Sequence, residues 1–265
     1  MRIVAIAGGN NSNISKDGTP KLYEHEEIDK TIISISCKRH PNVLFISHAS
    51  DDGLEVEACK KLENTFGKMY KCKVKLFSRD MLTNYSLSKS LIEWADVLYV
   101  GGGNTKELMN LWREHGIDKL ILDATDTNKV LCGISAGAIC WFESGMSDYL
   151  QTEQSDPNLP FMPVECLGLI KLVFNPHANN PKRIEDMKNI LKLNGKVGLS
   201  LSDNIAICIV NNNYKLIEGL NVNAENRVAD IQFWEDDKFI TRRLKAVGNI
   251  EDLININSEL NTSEK

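Results

Sequence analysis

A chain of 265 residues, 42% hydrophobic and 25% charged, is long enough to bury one sizeable core. Its formal net charge of -5, with the basic residues scattered rather than gathered, argues against nucleic acid as a partner. Seven cysteines, an odd number and several of them in apolar runs, suit buried thiols in a reducing cytoplasm, and no C-x-x-C pair or His/Cys cluster has metal-ligand spacing.

Residues 2–7 read as a strand that ends at Gly8-Gly9-Asn10, too short for the apolar core of a signal peptide, and no stretch approaches a membrane span. A loop (8–12) and a polar segment lead to a helix over 23–36, then a strand over 42–47. Apolar residues at helical spacing over 54–68, an alternating strand over 73–77, a helix over 86–94 and an apolar strand over 95–100 follow. This alternation predicts an α/β fold of three layers, a mostly parallel central sheet with helices on both faces. Its ligand crevice would lie beyond the carboxyl ends of the strands.

At one such end stands Gly101-Gly102-Gly103-Asn104-Thr105. Asn104 can cap the next helix, with Glu107 as its capping-box partner and Leu108, Leu111 and Trp112 on one face. The glycines allow close backbone approach to a ligand, so the N–H of Gly102 or Gly103 is a candidate oxyanion donor, with a plain tight turn as the simpler alternative. Neither dinucleotide nor P-loop spacing is present, so no nucleotide cofactor is expected.

The strand Lys129-Val130-Leu131-Cys132 runs into Gly133-Ile134-Ser135-Ala136-Gly137 and then a second apolar run. A G-x-S-x-G turn between strand and helix is the pattern of a nucleophile elbow. It projects the serine and aims the next backbone N–H, that of Ala136, at the space above it. So short a pattern also serves packing alone, and a serine needs a base to act as a nucleophile. Of the five histidines, His25 and His115 fall in polar helical surroundings, His40 precedes a proline in a basic loop, and His48 follows the second strand near the crevice. His177 ends an apolar run closed by Asn175-Pro176 and is the chosen base.

Beyond it, 181–193 reads as an amphipathic helix and 198–210 as paired strands, with Asn211-Asn212-Asn213 as a hairpin turn. Asp203 either contacts a substrate amino terminus or orders a turn, the latter being commoner. Residues 227–245 add edge strands. One domain over 1–248 and a polar, fraying tail over 249–265 are expected.

Val100-Gly101-Gly102-Gly103-Asn104-Thr105, the elbow and Asn175-Pro176-His177, in that order, resemble the peptidase E and cyanophycinase family of serine peptidases. The resemblance runs from about residue 1 to residue 210 and implies a flavodoxin-like fold related to class I glutamine amidotransferases. It also implies a Ser/His/acid triad in which Ser135 attacks a peptide carbonyl and His177 takes its proton. Ala136 and the Gly102/Gly103 corner would hold the oxyanion. The family places the acid between serine and histidine, where Asp148 and Glu153 rank level ahead of Glu143, Asp156 and Glu165. A small peptide is the implied substrate, with a dipeptide beginning in aspartate as the narrower option. Lys106, Arg113, Lys182 and Arg183 are candidate cations for its side chain. A homodimer is allowed for, and no cofactor or metal is implied. Two other classes stay open, a noncatalytic ligand-binding module of the same fold and a serine esterase.

Overall fold

The computed structural model describes residues 1–10, 23–50, 53–220, 222 and 227–256. The polar segment expected before the first helix, and the last residues of the expected tail, lie outside them. Strands β1 (Arg2–Ile6), β2 (Asn42–Ile46), β3 (Lys73–Phe77), β4 (Val97–Val100) and β5 (Val130–Ile134) form a parallel array in the order β1-β5-β4-β2-β3. The sheet is completed on the far side of β1 by antiparallel β10 (Ile205–Val210), β11 (Asn213–Glu218) and β14 (Val247–Asn249).

Period-two alternation sends successive side chains of each parallel strand to opposite faces. Ile3, Leu44 and Leu98 pack on one side with Trp112 of α4 (Thr105–His115), Ile121 of α5 (Ile117–Ala124) and Leu91 of α3 (Tyr85–Trp94). Val4, Val43 and Val97 pack on the other with Ile28 and Ile32 of α1 (Glu26–Ile35) and Leu62 of α2 (Glu55–Leu62). The inner strands are largely apolar because both faces are covered, whereas the edge strand β3 alternates, with Lys73 and Lys75 exposed.

The helix expected over 54–68 is α2 followed by a π-helical stretch, Glu63–Met69. The elbow helix is shorter than the apolar run after Ser135 suggests. It is a single turn, α6 (Ala136–Ile139), because Phe142 already opens strand β6 (Phe142–Ser147). Glu143 therefore stands on a strand, where it pairs with Lys196 at 3.3 Å.

Strand β6 belongs to a second sheet that the sequence pattern did not separate from the first. Its order is β13 (Lys238–Arg243), β12 (Ala229–Glu235), β9 (Gly198–Leu201), β8 (Ile170–Asn175), β6 and β7 (Met162–Glu165). Helix α7 (Tyr149–Glu153) follows β6, and α8 (Pro181–Asn194) joins β8 to β9. Both sheets share one hydrophobic cluster, in which Phe142, Phe174, Leu199 and Phe233 meet Trp112, Ala136 and Ile139. Consequently β9 and β10, expected to pair with each other, lie in different sheets, and the turn between them crosses the seam. The hairpin from β10 to β11 is as expected, with Asn211 and Asn212 both at positive φ in its turn. The described start of the expected tail, residues 249–256, holds α9 (Ile250–Ile254), whose Ile250 is buried.

Candidate active site

Ser135 leaves the carboxyl end of β5 at φ 54 and ψ -117, a conformation that costs on the order of 1–3 kcal/mol and persists only where its surroundings enforce it. They do so here. The Ser135 N–H donates to Ile6 at 3.0 Å, and its carbonyl accepts from Ala138 and Ile139 at 2.9 Å each. The flanking residues must be glycine because a Cβ on Gly137 would come within 2.1 Å of the Val100 carbonyl, and one on Gly133 within 2.3 Å of the Gly137 carbonyl.

His177 comes from the other sheet, two residues beyond the end of β8, also at positive φ (53). Asn175 anchors that end: it is fully buried, and its amide donates to Ser200 Oγ at 3.1 Å and to the Arg183 carbonyl at 3.3 Å. The seam between the sheets thus brings the two predicted residues together, with His177 Nε2 2.8 Å from Ser135 Oγ.

The carboxylate beside His177 is neither of the two expected. The Nδ1 of His177 lies 2.6 Å from Asp203 Oδ1, on the turn that carries the chain from β9 to β10. Neither Asp148 nor Glu153 hydrogen-bonds to His177. Glu153 sits on α7 and binds Lys106 at 3.1 Å, and Asp148 precedes α7 without a side-chain hydrogen bond to cap it. The Asp203 N–H is accepted by Asn179 Oδ1 at 3.2 Å. Burial alone would raise the Asp203 carboxyl. The hydrogen bond and charge of His177, together with Asn179 and Arg183, outweigh it and hold the group below its ordinary value.

The triple-glycine corner follows β4 and faces the elbow, with a Cβ on Gly102 falling 3.4 Å from Ser135 Cβ. The Gly101 N–H is used by Ile46, and that of Asn104 by Ala49. The N–H groups of Gly102, Gly103 and Ala136 find no acceptor among the described residues. Asn104 caps α4 as expected, accepting from Glu107 N at 3.1 Å, but Glu107 does not return the bond and instead accepts from Arg79. A cleft of about 290 Å³ is lined by Ser135, Gly102, Gly103, Asn104, Asp148 and Thr152, among others.

The other histidines divide differently from the sequence reading. His48 is buried, accepts the Trp112 indole N–H at 3.0 Å on Nδ1, and has its pKa pushed down to about 3, chiefly by burial. His25, read as lying in polar helical surroundings, is fully buried beside the Asp203 turn, since its helix begins against the loop that leaves β1. Asp203, read from the sequence as a substrate contact or a turn residue, stands at a strand end that reaches the crevice, and that position is the signal for its place beside His177.

The family model described as "Peptidase family S51" matches residues 14–217. An uncharacterized peptidase, YgaJ, of Bacillus subtilis is 30% identical over 181 residues, 68% of this chain and 70% of that protein. Peptidase E of Shewanella denitrificans is 33% identical over 92 residues, 35% of this chain and 37% of that protein. Among solved structures, a peptidase from an acI-B1 actinobacterium aligns over 94% of this chain and 96% of its own with TM-score 0.66 at 15% identity. A Listeria monocytogenes protein described as a putative peptidase E aligns over 92% and 98% with TM-score 0.54 at 21% identity. These structural likenesses carry the fold.

Proposed function

Because the chain belongs to peptidase family S51 and is a serine-type peptidase, we propose that it hydrolyses small peptides with Ser135 as nucleophile, His177 as base and Asp203 as the carboxylate that orients His177. The observation that carries this reading is the unbroken chain from Ser135 Oγ to His177 Nε2 at 2.8 Å and from His177 Nδ1 to Asp203 Oδ1 at 2.6 Å. In it the carboxylate accepts the Nδ1 proton, which leaves Nε2 bare to receive the serine proton.

Ser135 Oγ then bonds to the scissile carbonyl carbon as its proton passes to Nε2, and the carbonyl oxygen takes the negative charge. In this reading the free N–H of Ala136 and that of Gly102 or Gly103 receive this charge, and donors not already engaged act without reorganising. Collapse of the adduct expels the amine, which takes the proton from His177, and leaves an acyl ester on Ser135. Water repeats the sequence with the same base and frees the acid. A carboxylate held ionised is what this cycle requires, and Asp203 is held so.

The test is covalent. A fluorophosphonate should label wild-type protein at Ser135, and Ser135→Ala should abolish both labelling and hydrolysis of a mixed dipeptide panel without loss of thermal stability. An alanine variant with undiminished turnover would end the reading.

A further inference from the structure

We propose that His25 is a positioning residue for this reaction: its imidazole N–H fastens the turn bearing Asp203 to the loop leaving β1, and so fixes the carboxylate that orients His177. The inference rests on the triad reading above. His25 is fully buried, and its Nε2 lies 3.1 Å from both the Gly8 carbonyl and Asn204 Oδ1. The Gly8 carbonyl can only accept, so Nε2 carries the hydrogen and shares it between the two oxygens. Burial holds the ring below its ordinary pKa, against the opposing pull of the bonds to Asn204 and Gly8 and the charges of Glu24 and Asp203, so it serves as a neutral donor.

The two groups that His25 joins bracket the working pair. Asn204 follows Asp203, sits at φ 62, and donates its own N–H to the same Gly8 carbonyl at 3.0 Å. Gly8 packs directly on Asp203 and His177: a Cβ there would come within 2.0 Å of the carboxylate and 2.4 Å of Nδ1. One ring nitrogen thus reinforces the Asn204 N–H bond in tying the floor of the site to the turn that carries its acid.

The other ring nitrogen points to a role beyond packing. Nδ1 of His25 is buried without a hydrogen-bond partner among the described residues, and a bare buried acceptor is a standing cost to stability. An apolar side chain would avoid that cost but could not donate to two oxygens at once.

The experiment compares wild type with His25→Ala, His25→Gln and Asn204→Gly. The last keeps the positive φ and removes the side-chain acceptor. His25→Ala and Asn204→Gly should each lower kcat by about 10- to 100-fold with KM nearly unchanged, the scale expected when a reacting group is misplaced by an ångström or so. His25→Gln, whose amide can donate, should recover most of the loss. Wild-type kcat in both disruptive variants, or a loss that falls on KM as much as on kcat and that His25→Gln does not recover, would overturn the inference. Fluorophosphonate labelling separates the two levels. Labelled wild type with unaffected His25 variants sinks this inference alone, whereas unlabelled wild type with a fully active Ser135→Ala sinks the triad reading and this inference with it.

Discussion

Gly8 lies hard against the imidazole of His177, so that a methyl group on its Cα would come within 2.3 Å of Cε1 and 2.4 Å of Nδ1. The requirement is for close approach and not for unusual backbone freedom, since nothing as large as a methyl group fits between β1 and the ring. Gly8→Ala should therefore push His177 from Ser135 and reduce kcat by about 100-fold or more, with the fold retained. Steady-state kinetics beside a circular dichroism melt checks this, and a variant of normal turnover would show that the loop yields freely.

Asp203, which lies beside His177, and Glu153, one of the two carboxylates expected as the acid, should separate sharply. Asp203→Asn should cost on the order of 10⁴ in turnover, the scale seen when a triad carboxylate is made neutral and the histidine adopts the wrong tautomer. Glu153→Gln, which breaks only an exposed pair with Lys106, should leave turnover within about threefold. Equal losses in the two variants, measured on one dipeptide, would remove Asp203 from its assigned place.

Charge in the cleft bears on the aspartate-first option. Asp148 is the only ionisable residue lining the cleft among the described residues. Of the nearby cations, Lys106 is engaged by Glu153, and Arg183 is buried, donating to the Met146 carbonyl at 2.9 Å and stacking on Phe161. Dipeptides beginning in aspartate should thus be cleaved more slowly than those beginning in alanine. Asp148→Asn should narrow that gap by several-fold, on the order of 1 kcal/mol at the transition state. A wild-type preference for aspartate in a panel of Asp-, Glu- and neutral-first dipeptides would contradict this.

Stability should carry a pH signature unrelated to catalysis. Asp29 lies on the buried face of α1, and burial, opposed by the hydrogen bond from Tyr23, raises its carboxyl from 3.8 to about 7. Between these values the folded state binds a proton that the unfolded state has lost, so this group's contribution is full below pH 3.8 and is lost as pH rises towards 7. Asp29→Asn, which cannot titrate, should flatten that decline, and its Tm relative to wild type should rise steadily from pH 4 to pH 7. Parallel melting curves across that range would disprove the assignment.

Features set by a residue and its immediate neighbours were legible from the chain alone. The inner parallel strands read as apolar because both faces are covered, and the edge strand β3 as alternating because one face is exposed. The elbow read as such because Gly133 and Gly137 admit only hydrogen beside Val100, and His177 stood out because a proline stops its strand. Asn104 capped its helix where its spacing placed it. What sequence could not supply was which strand ends meet. Asp148, Glu153 and Asp203 are alike as carboxylates in polar stretches, and only the division of β9 and β10 between two sheets carries Asp203 across the seam to His177. Burial of His25 is of the same kind, because its exposure is decided by the loop after β1 and the turn after β9, far apart along the chain. Local conformation depends on covalent neighbours and steric fit, whereas the company a charged or titratable group keeps depends on long-range packing.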